Sequence, residues 1–335
     1  MLPSAVLVAA ALVTSACKPA AGPTAPVSAP TSADEPEASG PDHARSEPAP
    51  TGPVTAVLEA PGRIRVGAAT ITVVYEGNDP PLPAAELEAW VAHSAEMIAD
   101  YLGEYPVPSL EVTLVGRGFG GIGFGMHQDG RWVTVYCGRS TDAEDLETDW
   151  VMVHEMLHAA FPDLDRRHRW MQEGLSTYAE KLVRARAGDL TEAEVWRGFL
   201  RSMHYGRPDA GDRGLDITHT WGRTYWGGAL FWLVADVELR KATNNEQSLR
   251  DVMRGLLREG GNGRVDWSTR RVVEVADAAT GTTVLSDLYA RMAEAPGDVD
   301  LDALYAELGV ARVDGEIVFD DAAPLAHIRR AMTRP

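Results

Sequence analysis

The sequence is poor in cysteine and in basic residues. Only two cysteines, Cys17 and Cys137, occur in 335 residues, and the first lies in a segment that we expect to be processed, so a disulfide scaffold is excluded. Lysine and arginine total 31 against 49 aspartates and glutamates. Because nucleic-acid phosphates bind to basic surfaces, this balance predicts no nucleic-acid partner. The apolar runs 5–13 and 226–235 are both too short for a transmembrane helix.

The N-terminus has the pattern of an export signal. The apolar run 5–13 is typical of a signal-peptide core, and the residues TSAC that end at Cys17 resemble a bacterial lipobox. We therefore predict a signal peptide over residues 1–16 and a lipid anchor on Cys17 that attaches the protein to a membrane. Lys18 resembles the residue that follows the cysteine in outer-membrane lipoproteins, which predicts an outer-membrane or other cell-envelope location. An ordinary secretory signal with an incidental cysteine is the alternative.

Composition divides the rest of the chain. Residues 17–53 are rich in Pro, Ala, Ser, Thr and Glu, and they have too few large apolar side chains to offset chain entropy, which predicts a disordered tether. Strand-like alternation around one helical period indicates an N-terminal β/α part over residues 54–140. Residues 141–335 are predicted to form a mostly helical part. Hydrophobic residues make up 45% of the sequence, enough for a substantial core.

One motif has the residue types and the spacing of a metal-binding site. His154, Glu155 and His158 form H-E-x-x-H inside an amphipathic helical pattern. On a helix, histidines four residues apart share one face and can bind one metal ion. A second helical run, residues 170–186, carries Glu173 near its start and brings a third ligand within reach. Two histidines and one glutamate are the donor set of a catalytic zinc with an open fourth position. The alternative is a core helix with two incidental histidines.

A family resemblance extends beyond the motif. Residues 170–180, WMQEGLSTYAE, resemble the W-x-x-E-G-x-x-x-Y segment of the aminopeptidase N and glycyl aminopeptidase families, which are gluzincins. Residues 224–240 and 248–256 resemble two further glycyl aminopeptidase segments. The resemblance implies an α+β fold with a thermolysin-like gluzincin catalytic domain, built from a small N-terminal mixed sheet with helices and a mostly helical C-terminal part. Two departures are visible: Gly227 replaces a common lysine, and only fourteen residues separate His158 from Glu173.

The resemblance also implies roles for individual residues. Zinc is the implied cofactor, a peptide or protein is the implied substrate, and the implied zinc ligands are His154, His158 and Glu173. Glu155 is then the general base and acid of peptide hydrolysis. Tyr225 matches the family tyrosine that stabilises the oxyanion of the tetrahedral intermediate. A core tyrosine in an aromatic-rich helix is the alternative for Tyr225.

Three further polar residues lie outside the proposed ligand set. Glu180 lies two helical turns after Glu173 on the same face, where it can accept a hydrogen bond from a ligand histidine. A solvated glutamate beside Lys181 is the alternative. We expect His127 to be a surface histidine, with a contact to substrate near the edge strand as the alternative. We expect His168 to be solvated in its charged turn.

The segment before the motif bears on substrate choice. A glycine-rich connection leads to residues 131–137, which are predicted to form the edge strand that lines the cleft. Aminopeptidases of the resembled families hold the substrate amine with the glutamate of a Gly-x-Met-Glu-Asn motif, since a buried ammonium needs an opposite charge. The corresponding residues 120–130, GGIGFGMHQDG, lack that glutamate, and Asp129 is the only acid among them. We therefore expect poor strict aminopeptidase activity, with internal cleavage at least as favoured.

A function of another class also fits the sequence. The chain can be a non-catalytic envelope lipoprotein that retains the peptidase fold as a binding module. Glu155 argues against this alternative, because a binding module has no chemical need for a general base.

Overall fold

The computed structural model describes residues 54–118 and 120–334. The predicted signal peptide, the predicted lipidation site at Cys17 and the predicted tether up to residue 53 therefore lie outside the described residues. Within the described ranges, no helix combines the length and the apolar character that crossing a membrane requires.

The N-terminal part is built on one mixed sheet of six strands. The strands are β1 (Ala56–Ala60), β2 (Arg63–Val66), β3 (Ala69–Gly77), β4 (Ser109–Arg117), β5 (Ile122–Gln128) and β6 (Trp132–Gly138). Their order is β1-β2-β3-β4-β6-β5, with parallel pairing of β4 to β3 and β6 and antiparallel pairing elsewhere. Alternating apolar residues cover one face of the sheet, and helix α1 (Ala84–Leu102) buries that face.

The rest of the chain is mostly helical. The helices are α2 (Ala143–Thr148), α3 (Val151–Leu157), α4 (Arg169–Ala187), α5 (Glu192–Ser202), α6 (Gly228–Ala242), α7 (Leu249–Arg258), α8 (Thr269–Thr280), α9 (Val284–Met292), α10 (Leu301–Leu308) and α11 (Ala326–Thr333). Strands β7 (Val310–Val313) and β8 (Glu316–Phe319) form an antiparallel hairpin. Short 3₁₀ turns span His158–Ala160, Arg166–His168 and Met203–Gly206, and a π-helical turn spans Gly222–Gly227. The mixed sheet and the helices confirm the predicted α+β class.

The prediction of the edge strand is wrong, because the strand that lies at the edge of the sheet is the one before the predicted strand. Residues 131–137 were expected at the edge, but β6 lies inside the sheet and the glycine-rich β5 pairs outside it. Glycine is depleted in strands, so its density in this segment favoured a loop in the sequence-based interpretation. In the structure, the glycines let β5 approach α3 closely. The edge strand therefore includes the segment in which the family's amine-binding motif was expected.

Helices α4 and α6 cross at two glycines. A Cβ atom at Gly174 would lie 2.2 Å from the backbone of Gly228, and a Cβ atom at Gly228 would lie 2.0 Å from the carbonyl oxygen of Trp170. Real Cβ atoms do not approach other atoms this closely, so only glycine allows the two backbones to touch. This contact sets Glu173 on α4 beside the π-helical turn that precedes α6.

Candidate metal centre

Helix α3 carries His154 and is capped at its N-terminus, and the 3₁₀ turn that follows α3 begins with His158. The Asp149 carboxylate accepts hydrogen bonds of 2.9 Å from the backbone N–H groups of Val151 and Met152. A carboxylate in this position satisfies helix donors that lack a partner and interacts favourably with the helix dipole. The cap fixes the start of the short helix that positions His154 and His158, both of which are buried.

The two histidines converge on Glu173. The Oε2 atom of Glu173 lies 3.5 Å from Nε2 of His154 and 3.5 Å from Nε2 of His158. Each of the three residues offers one ligand atom, and all of these atoms lie within 4.8 Å of one another. Three ligands at zinc–ligand bonds of about 2.1 Å in tetrahedral geometry are separated by roughly 3.4 Å. The donor types and spacings therefore fit a zinc ion.

Arg169 contacts the third residue of this set and was missed by sequence reasoning. Its Nε and Nη2 atoms donate hydrogen bonds of 2.9 and 2.7 Å to Oε1 of Glu173, which leaves Oε2 directed at the histidines. Burial raises the pKa of Glu173. Charge interactions and hydrogen bonds with His158 and His154 outweigh the effect of burial and hold that pKa well below its ordinary value. The i,i+4 spacing of Arg169 and Glu173 was the signal in the sequence.

Glu155 lies under the edge strand. Its side chain is 9% exposed, and a Cβ atom at Gly125 of β5 would lie 2.3 Å from its Cγ atom. Burial raises the pKa of Glu155 to about 7, with the charge of His158 opposing the shift and that of Glu173 adding to it. Glu155 thus combines a position beside the histidine pair with a pKa near neutrality, as a group that both accepts and donates a proton requires.

Tyr225 lies on the π-helical turn and faces His154. The centroids of the two rings are 6.5 Å apart and their planes differ by 26°. The side chain is half-buried, and the oxyanion role and the core alternative for Tyr225 both stay predictions. Burial, together with the charge of Glu173, raises the pKa of Tyr225 to about 12, so its hydroxyl remains a neutral hydrogen-bond donor.

Glu180 is buried, which overturns the alternative of a solvated glutamate. Its side chain contacts the Lys181 ammonium, and its Oε2 lies 3.7 Å from Nη1 of Arg184. Among the described residues, Oε2 of Glu180 and Nδ1 of His154 are both buried without a hydrogen-bond partner. The proposed bond between Glu180 and a ligand histidine stays a prediction.

Two histidines differ from expectation. His127 stacks on His158 with ring centroids 5.4 Å apart, and it accepts a 3.1 Å hydrogen bond from the N–H of Gly130. Burial, reinforced by His158, lowers the pKa of His127 to about 3 and keeps its imidazole neutral. His168 is not solvated, because its Nδ1 lies 2.7 Å from the buried carboxylate of Asp216. Both contacts join residues far apart in the sequence, so local patterns did not reveal them.

Asp129 is exposed at the turn between β5 and β6. Its φ angle of 51° and the φ of 59° at Gly130 place both residues in the left-handed conformation typical of a tight hairpin turn. In β5, Gly125 lies against Glu155 and His127 lies against His158, and neither β5 residue is acidic. Within the described part of β5 and its turn, no buried carboxylate replaces the glutamate that the family motif supplies.

A solved structure has the same arrangement of elements. An aminopeptidase N family protein from Idiomarina loihiensis matches with a TM-score of 0.58 and 18% identity, over 79% of this chain and 52% of that protein. The chain shares its fold with the aminopeptidase N family protein. The resemblance predicted from the sequence is therefore confirmed at the level of the fold.

The matches to solved structures cover only part of each matched protein. An M1 zinc metallopeptidase from Deinococcus radiodurans also matches, with a TM-score of 0.49 and 18% identity over 71% of this chain and 51% of that protein. The chain thus spans about half the length of the aminopeptidase N family protein and of the M1 enzyme. No protein-family model matches the sequence, and no curated protein matches it.

Proposed function

We propose that this chain is a zinc metallopeptidase with a thermolysin-like gluzincin catalytic domain. The observation that carries the proposal is the convergence of one ligand atom each from His154, His158 and Glu173, all within 4.8 Å of one another. The fold of an aminopeptidase N family protein supports the same reading. Zinc is the proposed cofactor, and peptides or proteins are the proposed substrates.

The side chains around the ligand set have separate roles in the proposed peptide hydrolysis. A zinc ion in this set would supply Lewis acidity and lower the pKa of a water molecule toward neutrality. Glu155 takes the proton of the attacking water and delivers it to the leaving amine, and its buried position beside the histidine pair suits both transfers. Tyr225 donates a hydrogen bond to the oxyanion as charge develops there. The buried position of Glu155 gives the alternative of a non-catalytic binding module no support.

Metal content and hydrolysis test this proposal separately. We expect the purified chain to bind about one zinc per molecule, and His158→Ala or Glu173→Ala to lose it. Glu155→Gln should keep both zinc and fold while hydrolysis of a peptide library falls by roughly 10²–10⁴, because an amide cannot accept the proton. Elemental analysis and a peptidase assay measure the two outcomes. Full activity in zinc-depleted protein would contradict the proposal.

We further propose that the protein is exported and attached to the cell envelope through a lipid on Cys17. The support is the sequence alone, namely the apolar run 5–13 and the TSAC residues before the tether. Cys17→Ser should move the protein from the membrane fraction to the soluble fraction and leave its peptidase activity unchanged. Immunoblots of the two fractions measure this shift. Membrane retention of Cys17→Ser would show that another anchor operates.

A further inference from the structure

Three half-exposed aromatic side chains are connected by ring contacts to His154 of the candidate metal centre. Trp150, Tyr205 and Trp221 are 50%, 52% and 54% exposed, whereas the large aromatic side chains of the core are buried. The Trp150 ring meets the His154 ring edge-on with centroids 5.6 Å apart. Such exposure of large rings beside a buried polar site is typical of a surface that binds a ligand.

A continuous series of rings connects these residues. The ring of Tyr225 lies 6.5 Å from that of His154 and 6.3 Å from that of Trp221. The ring of Trp221 in turn lies 5.8 Å from that of Tyr205. Trp150 and the pair Trp221–Tyr205 therefore reach the same histidine through different contacts, and we call these three residues the aromatic wall.

The backbone beneath the aromatic wall is tightly packed. A Cβ atom at Gly206 would lie 2.3 Å from the carbonyl oxygen of Trp226, and one at Gly222 would lie 2.4 Å from that of Tyr205. The 3₁₀ turn that carries Tyr205 and the π-helical turn that follows Trp221 are thus in direct backbone contact. Binding surfaces of fixed geometry lose less entropy when a ligand docks.

A buried arginine holds the same two turns together. The Arg223 side chain is 3% exposed, forms an ion pair of 2.8 Å with Asp212 and contacts the carbonyl oxygen of Gly206. Its Nη2 donates a 3.0 Å hydrogen bond to the carbonyl oxygen of Pro296. The catalytic roles proposed above do not use this arginine, and its contacts explain why the wall keeps its shape.

We propose that the aromatic wall binds a large apolar side chain, preferably an aromatic one, next to the scissile bond of the substrate. The proposal rests on the proposed peptidase function and names its substrate class. The occupant follows from the residues that line the surface. Trp150 packs against the proposed ligand His154, Trp221 packs against the proposed oxyanion donor Tyr225, and Tyr205 extends the surface from Trp221. Offset or edge-to-face packing on these rings favours aromatic over small side chains.

A pair of peptides that differ at one residue tests the proposal. The first is an alanine hexapeptide with a single central phenylalanine, and the second is the all-alanine hexapeptide. We expect kcat/KM for the phenylalanine peptide to exceed that for the alanine peptide about tenfold or more. Trp221→Ala and Tyr205→Ala should each reduce this ratio severalfold. Trp132→Ala is the matched control, because Trp132 is a 42% exposed tryptophan that pairs with Gln128 on the sheet face opposite His127.

A binding measurement separates this proposal from the proposed function. Calorimetric titration of Glu155→Gln with both peptides should show tighter binding of the phenylalanine peptide, and Trp221→Ala added to that variant should remove the difference. Binding preference without hydrolysis by the wild type would support the aromatic wall and overturn the peptidase function. Hydrolysis without preference, or a ratio unchanged in Trp221→Ala and Tyr205→Ala, would overturn the aromatic wall alone.

Discussion

At the scale of single residues, the role of Tyr225 depends on its hydroxyl group. Its ring packs near His154, and its raised pKa keeps the hydroxyl protonated, so it can donate a hydrogen bond throughout the neutral pH range. Tyr225→Phe keeps the ring and removes the donor. We expect kcat to fall by roughly 10²-fold, with a much smaller change in KM, because the lost bond acts on the transition state.

Steady-state kinetics on one good peptide substrate checks this expectation. Tyr136→Phe is a suitable control, since Tyr136 packs with Phe124 and Arg117 away from the metal-ligand set. An unchanged kcat in Tyr225→Phe would assign the tyrosine a packing role.

Sequence could predict the site residues that lie on regular elements. His154 and His158 are one helical turn apart, and Glu173 lies near the start of the next long helix, so local spacing predicts that the three can meet. The stacking of His127 on His158 and the approach of Gly125 to Glu155 depend on how β5 lies against α3. These contacts arise from tertiary packing between residues far apart in the sequence, so local periodicity could not predict them.

At the scale of elements, the crossing of α4 and α6 determines whether Glu173 and Tyr225 can face one site. The crossing has no room for a side chain at Gly228, where a Cβ atom would lie 2.0 Å from the Trp170 carbonyl oxygen. Gly228→Ala must therefore separate the helices. We expect it to lower the free energy of unfolding by about 1–3 kcal/mol or more, as overpacking in a core does.

Urea denaturation followed by circular dichroism measures this loss. Gly118→Ala is the matched control, because a Cβ atom there meets no atom within 4 Å. Equal unfolding midpoints for Gly228→Ala and the wild type would show that the crossing can relax without loss of stability.

The helices were the most predictable elements. The helical run 170–186 predicted α4 almost to its ends, because one face of this helix packs on the core over several turns. The π-helical turn at Gly222–Gly227 was not predicted, because it continues directly into α6 and local residue spacing does not distinguish the two kinds of helix. The wider turn is common at functional sites and sets the orientation of Tyr225.

At the scale of the whole molecule, an ion pair joins the sheet side to the helical side. His93 on α1 places Nε2 3.0 and 2.9 Å from the two carboxylate oxygens of Asp189, which follows α4. The hydrogen bond to Asp189 raises the pKa of His93 above its ordinary 6.5, and burial partly opposes the shift. The raised value means that protonation of His93 is coupled to folding.

The sign of the pH effect follows from this coupling. Stabilisation by the pair is fully present below about pH 6.5 and is lost as the pH rises through the higher pKa of the folded state. The free energy of unfolding of the wild type should therefore exceed that of His93→Gln more at about pH 5.5 than at about pH 9. Since both side chains are partly exposed, the difference should be small and should shrink in high salt.

Denaturation curves at the two pH values measure the difference. Asp189→Asn should reproduce it, because it removes the other half of the pair. A difference between wild type and His93→Gln that is the same at both pH values would show that the imidazole contributes by packing alone.

The close approach of Gly125 to Glu155 has a genetic consequence. Every single-nucleotide missense change in a glycine codon introduces a side chain, and even the smallest places its Cβ atom 2.3 Å from Cγ of Glu155. Position 125 lies on an outer strand, where substitutions are ordinarily harmless. Its codon should nevertheless tolerate only silent changes, so that in a population of variants this edge position is as invariant as the histidines themselves.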